Sequence, residues 1–156
     1  MTDYTMMCAM GRSLVRDVPH LVTRLANLAA LVWDNLDDIN WAGFYIADDD
    51  GSLYLGPFQG KVACSYIAPG RGVCGKAAAE GRTLVVPDVH EFPGHIACDS
   101  ASRSEIVVPI FAGPGDTVVG VLDIDSPTPD RFSETDRAGL ERFVEAVEDE
   151  LFFPEY

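Results

Sequence analysis

Apolar positions recur along this chain at two periods, and the changes between them divide it into helices and strands. From Pro19, Leu21, Leu25, Leu28, Val32 and Leu36 follow at steps of four, three, four and four, one face of a helix. Pro19 suits the first turn, and Asp17 just ahead of it reads as the cap. Near the other end, Leu140, Phe143, Val144, Val147 and Leu151 form a second helical stripe. Ser133, three residues before Asp136, opens that helix in the manner of a capping box. Between the two helices the pattern shortens to strands. Asn40 to Ile46 is rich in aromatic and β-forming residues, and Asp48-Asp-Asp-Gly51 turns it back into Ser52–Leu55. Gly56 to Lys61 reads as a breaker-rich connection, and Val62–Ile67 as a third strand. Val73 to Glu80 predicts a short helix closed by Gly81, followed by a strand over Thr83–Val86. Glu105–Phe111 and Thr117–Ile124 form a last hairpin around Ala112-Gly-Pro-Gly-Asp116. Residues 1 to about 16 show no clear period and are expected to be a lead-in arm, with residues 17–156 a single domain.

Because hairpins dominate, the expected architecture is α+β: a mainly antiparallel sheet with the terminal helices packed on one of its faces. A length of 156 residues suits one domain with a sizeable core. No apolar run reaches the length of a membrane span, and the first residues lack a basic segment leading into an apolar one. A cytoplasmic protein is therefore expected. The 25 acids against 11 bases give a net charge of −14, which disfavours nucleic acid and anionic membrane as partners. Part of that charge is a solvated helix face, because Asp130 to Tyr156 carries nine acids against three arginines.

One stretch fits neither period. His90 to Pro109, HEFPGHIACDSASRSEIVVP, is long and polar between two apolar runs, and such loops are functional or disordered more often than idle. It carries Cys98, an uncommon location for a merely structural thiol. Cys8, Cys64, Cys74 and Cys98 are expected to be reduced, and no Cys-x-x-Cys pair suggests a zinc ribbon. His90, His95 and Cys98 lack a fourth ligand at standard spacing, so no metal site is expected. Cys64, Cys74 and Cys98 each follow Lys61, Arg71 or His95 by three positions, while Cys8 reads as a small buried apolar residue. Cys74 falls in the first turn of a predicted helix, where the dipole favours thiolate, while a small buried apolar residue is the plain alternative for each of these three cysteines.

Asp123 and Asp125 alternate with Ile124, so both point to one face of their strand while Leu122 and Ile124 fill the other. Glu105 opens the neighbouring strand and can meet either acid across the pair. Three clustered carboxylates raise at least one pKa, leaving a proton donor near neutral pH. Trp41 and Tyr45, four apart on the first strand, share a face, with core packing as the plain alternative.

Seven segments in order carry a resemblance. They are Asn40 to Tyr45, Leu55 to Cys64, Gly70 to Gly75, Val86 to His90, Phe92 to Asp99, Ser102 to Pro109 and Gly120 to Ser126. Together they resemble the free methionine-(R)-sulfoxide reductases, small stand-alone GAF-domain enzymes, over roughly Pro19 to Glu148. The resemblance implies a GAF fold with a six-stranded antiparallel sheet, helices behind it and the pocket in front. It implies thiol-dependent reduction of the free amino acid, with Cys98 as nucleophile and Cys64 forming the disulfide that closes the cycle. The role of Cys74 is open. Glu105, Asp123 and Asp125 match substrate-binding carboxylates, Trp41 and Tyr45 match pocket aromatics, and a homodimer is implied. No bound cofactor is expected, only an external dithiol such as thioredoxin.

The residues agree with that chemistry. Sulfoxide reduction needs a thiolate to attack sulfur and an acid to protonate the departing oxygen. The resulting sulfenic acid condenses with a second thiol to a disulfide, which a dithiol exchanges open. The competing expectation is a non-catalytic GAF module that senses a small ligand or redox state.

Overall fold

The structure is a computed structural model that describes residues 1–95, 101–112 and 117–151. Its elements run α1 (Tyr4–Val15), α2 (Leu21–Asn35), β1 (Trp41–Ala47), β2 (Leu53–Gly60), β3 (Tyr66–Ile67) and α3 (Gly72–Glu80). They continue with β4 (Leu84–Val86), a single 3₁₀ turn (Val89–Glu91), β5 (Ser104–Ala112), β6 (Thr117–Ser126) and α4 (Glu134–Leu151). The six strands form one sheet in the order β3-β2-β1-β6-β5-β4, and every pairing is antiparallel. This is the α+β architecture that the hairpin signals imply.

The period-two pattern sorts the sheet into two faces. Ala42 and Phe44 of β1, Ile106 and Val108 of β5, and Leu122 and Ile124 of β6 point to the rear, where α1, α2 and α4 cover them. Phe44, Leu122 and Phe143 are all but inaccessible to solvent there. Burying such a side chain contributes about 1.5–3 kcal/mol each. On the front, Trp41, Tyr45, Val107 and Val121 meet α3 and β4 in a second, smaller cluster.

Several boundaries differ from the sequence pattern for identifiable reasons. Where the missing period suggests an arm, Tyr4–Val15 forms α1, capped by the Asp3 side chain, which accepts from the Met6 amide at 2.9 Å. Its buried positions are Tyr4, Met7, Gly11 and Val15, so glycine and tyrosine stand where an apolar stripe would be sought. A Cβ on Gly11 would lie 2.9 Å from the Phe143 ring, so the missing side chain lets α1 approach α4. Tyr4 reciprocates, because a Cβ on Gly139 of α4 would sit 2.3 Å from its ring, and its hydroxyl donates to Asp136 at 2.7 Å.

Asp17 does not cap α2. It adopts φ 60°, and His20 takes the cap position without a side-chain hydrogen bond. β2 runs through Gly56 and Pro57 to Gly60, because the pairing with β1 shifts register between Gly43 and Tyr45. Proline is tolerated at such a bulge, where the ladder does not call on its missing amide. β3 is correspondingly short, at Tyr66–Ile67. The capping box at α4 forms as expected: the Asp136 amide donates to Ser133 Oγ at 3.2 Å, and the Ser133 amide donates to Asp136 Oδ2 at 2.9 Å. Among the described residues, no helix is long and apolar enough to cross a membrane.

Candidate active site

Strand register assembles the site. On β6, Asp125 stands opposite Trp41 of β1 on one side and Glu105 of β5 on the other. Two residues along, Asp123 faces Gly43. The alternation that sends Leu122 and Ile124 to the rear therefore brings Glu105, Asp123 and Asp125 onto the front face, as the sequence spacing predicts. Glu105 and Asp123 are buried, and Asp125 is half-buried.

These acids lie in a pocket of about 560 Å³ including its mouth. Trp41 and Tyr45 line it from β1, and Ile67, Arg71, Gly72, Val73 and Cys74 from the β3–α3 region. Val62, Ala63, His95 and Ser102 complete the wall. The size and mixed lining suit a small amphipathic ligand. Trp41 stacks on Phe58, with ring centres 5.2 Å apart and planes 15° apart, and more loosely on Tyr45 at 6.0 Å. Gly43 makes this possible. A Cβ there would lie 2.3 Å from Phe58 Cβ and 2.9 Å from the Trp41 ring. The Trp41 indole donates to the Lys61 carbonyl at 3.1 Å and the Tyr45 hydroxyl to the Cys64 carbonyl at 2.9 Å, so both aromatics fix the backbone carrying Cys64.

Burial sets the protonation pattern. It pushes the Glu105 carboxyl well above the usual carboxylate range, and the charges of Asp123 and Asp125 push it the same way. Burial also raises Asp123, but hydrogen bonds from Glu105 and Cys74 favour its ionised form and oppose the shift. Glu105 is thus the member that holds its proton more strongly, with Asp123 the better anion. Asp123 Oδ1 is buried without a hydrogen-bond partner. His95 Nε2 lies 4.0 Å from Glu105 Oε1. Burial and the neighbouring His90 lower the His95 pKa, so this is a contact between two groups driven towards neutrality and not a strong ion pair.

The thiols fall in contrasting places. Cys74 is free, buried in α3, and its thiol approaches Glu105 Oε2 at 4.0 Å, the outer limit for sulfur. Burial, then the charges of Asp123 and Glu105, push its pKa well up. This runs against the thiolate that its place in the first helical turn favours: burial first, and then the acids in front of it, outweigh the dipole behind it. Cys64 is half-buried and disulfide-bonded, whereas Cys8 is free and packs against the rear cluster. Cys98 lies outside the described residues.

The sequence spacing thus finds Trp41, Tyr45, Cys74, Glu105, Asp123 and Asp125, and the fold places all six on one pocket. It does not single out Arg71, His95 and Ser102 as pocket residues, although Arg71 and His95 each stand three before a cysteine.

A curled antiparallel sheet with helices behind and a small-ligand pocket in front defines a GAF domain, and the GAF domain family model matches residues 15–151. The chain belongs to that family. Within it, this sequence stands with the free methionine-R-sulfoxide reductases. It is 52% identical over 132 residues to the Escherichia coli enzyme of that name, covering 85% of this chain and 78% of that one. The structure of fRMsr of Staphylococcus aureus in complex with substrate is 50% identical, covers 97% of each chain and has a TM-score of 0.89. The Neisseria meningitidis free methionine-R-sulfoxide reductase in complex with its substrate is 44% identical, with a TM-score of 0.88, over 95% of this chain and 87% of that one.

Proposed function

We propose that this chain reduces free methionine-(R)-sulfoxide to methionine in the front pocket. The observation that carries the reading is the convergence of buried Glu105 and Asp123 with half-buried Asp125 in one small pocket, where burial and the neighbouring acids push the Glu105 pKa up. The reductases named above share that fold and about half of the residues at aligned positions.

In the proposed cycle, the Cys98 thiolate attacks the sulfoxide sulfur while Glu105 protonates the oxygen as it leaves. Oxygen passes to Cys98 as a sulfenic acid, and methionine departs. The Cys64 thiol then condenses with the sulfenic acid, releasing water and forming a disulfide. A dithiol such as thioredoxin restores both thiols by exchange. The net change is one sulfoxide and two reducing equivalents giving one methionine and one water. Cys64 being disulfide-bonded while Cys8 and Cys74 are free supports its role as the resolving thiol. The raised Cys74 pKa argues against that residue as the attacking thiolate. Trp41 and Tyr45 hold the apolar part of the substrate, and the acidic pocket suits its ammonium group. A homodimer, thioredoxin as reductant and a cytoplasmic setting belong to the same proposal and rest on the resemblance.

A coupled thioredoxin–NADPH assay with the separate R and S epimers tests the activity. Continuous NADPH consumption on the free R epimer is expected, with little on the S epimer or on a peptide-embedded sulfoxide. Equal rates on both epimers, or none on either, overturn the reading. Cys98→Ser is expected to abolish methionine formation in a single turnover. Cys64→Ser is expected to make about one methionine per subunit and then stall with thioredoxin, since one oxidised thiol has no partner to condense with. The opposite pattern reverses the two roles.

A further inference from the structure

We propose that the pocket, whose Cys74 thiol is free, is also a binding site for one thiophilic divalent cation, of the Zn²⁺ type, held by Cys74 Sγ, Glu105 and Asp123. The inference starts from geometry that the reductase reading does not require. One ligand atom from each of the three residues lies within 4.8 Å of the others, and all three residues are buried. In a tetrahedral zinc site the sulfur–oxygen and oxygen–oxygen separations are about 3.3–3.5 Å, from bond lengths of about 2.3 and 2.0 Å. To match that geometry the 4.0 Å between Cys74 Sγ and Glu105 Oε2 has to shorten by about half an ångström, and a pair at the 4.8 Å limit by about 1.4 Å.

Asp123 Oδ1 is a second and independent sign. It is buried, lines the pocket and has no hydrogen-bond partner. Buried acceptors are ordinarily satisfied, and an orphan beside a thiol and a carboxyl has the character of a vacant ligand. The donor set then selects the ion. A thiolate with two carboxylates suits a borderline cation such as Zn²⁺ or Co²⁺, whereas Mg²⁺ and Ca²⁺ require oxygen throughout. Binding displaces the thiol proton and the carboxyl proton to solvent, so affinity rises with pH. A thiolate and two carboxylates around a divalent ion leave one negative charge, a smaller burial penalty than three bare anions. The fourth position faces the pocket, where His95 Nε2 stands 4.0 Å from Glu105 Oε1. The expectation of no metal site rests on histidine and cysteine spacing in the sequence and does not see this set, which three separate elements bring together.

The functional consequence, which alone rests on the reductase reading, is inhibition: a bound cation occupies the carboxylates that would hold the sulfoxide. The site itself is tested without turnover. Co²⁺ is titrated into the reduced full-length chain carrying Cys8→Ser, Cys64→Ser and Cys98→Ser, leaving Cys74 as the only thiol. A thiolate-to-cobalt charge-transfer band saturating at one equivalent and displaced by Zn²⁺ is expected. Adding Cys74→Ser should remove the band, and Asp123→Asn should weaken binding at least tenfold with the melting temperature kept. In the unsubstituted reduced chain, saturating Zn²⁺ should protect Cys74 from alkylation, read by mass spectrometry. No band in the three-serine chain, a band that survives Cys74→Ser, or Cys74 alkylation unaffected by Zn²⁺ overturns the proposal. Zn²⁺ inhibition competitive with the sulfoxide and reversed by a chelator is expected if the reductase reading holds. Failure of that reading leaves the cobalt and alkylation results to decide the metal site alone.

Discussion

The two faces of the sheet are built from the same strands, residue by alternate residue, yet they obey different rules. At the rear, Phe44, Ile106, Leu122 and Ile124 share one apolar cluster with residues of α1, α2 and α4. At the front, their immediate neighbours in sequence are Gly43, Glu105, Asp123 and Asp125, under a single short helix and a loop. The rear face is where burial stabilises the fold. The front face carries buried carboxylates that destabilise it, because like charges taken out of water are unfavourable unless one keeps a proton. Stability and chemistry are thus separated by the pleat of a strand, a side-chain reversal every residue.

The sharpest way to break this comparison is to remove the front acids. Glu105→Gln and Asp123→Asn should each slow single-turnover reduction by about 10²–10⁴-fold, the range for general acid assistance. Melting temperature should hold or rise. A rate within threefold of the parent for both variants refutes the acid-cluster mechanism. The same group sets a pH signature. The Glu105 pKa is raised in the folded chain, so the native state binds more protons than the unfolded one between the ordinary carboxylate pKa and the folded value. Its contribution to stability is greatest below the unfolded pKa and declines as pH rises through that window. Glu105→Gln should flatten the decline, as thermal melts across the pH range would read.

The complementary break is at the rear. Phe44→Ala removes a fully buried ring beneath α2 and should cost about 3–5 kcal/mol in denaturant unfolding. Activity per folded molecule should stay near the parent value. A variant that keeps its stability but loses its rate would show the two faces to be coupled. The smallest effect belongs to Gly139→Ala. Alanine favours a helix by about 1 kcal/mol over glycine, yet the new Cβ would meet the Tyr4 ring at 2.3 Å. Net destabilisation of about 1–3 kcal/mol by overpacking is expected, and a gain in stability would mean that α1 is loosely seated.

Much of this division was legible in the sequence, because a period of two is visible wherever polar and apolar residues alternate. Asp123-Ile124-Asp125 declares its faces without a structure, and so do Trp41 and Tyr45. The buried stripe of α4 was equally plain. What escaped were contacts made by residues with little hydrophobic signal. Helix α1 presents Gly11 and Tyr4 to its neighbours, and a pattern that weighs only apolar bulk passes over both. The strand through Gly56 and Pro57 was hidden because its bulge is a property of the pairing with β1. Cys74 shows the deeper limit. Its local setting argues for a thiolate, and only the fold reveals that its thiol faces acids contributed by residues 31 and 49 positions further along the chain.

Gly43 carries one further consequence. Gly43 stands opposite Asp123 on the next strand, and its missing side chain leaves the space in which Trp41 lies flat against Phe58. Every replacement reachable by a single nucleotide change adds at least a Cβ, and with it a collision against the backbone and ring of the pocket wall. A saturation survey scored on growth or turnover would therefore rank this position among the least permissive in the chain. Mutational intolerance would mark it as though it were a reactive group. What it registers there is a volume that must stay empty for the neighbouring indole to keep its place.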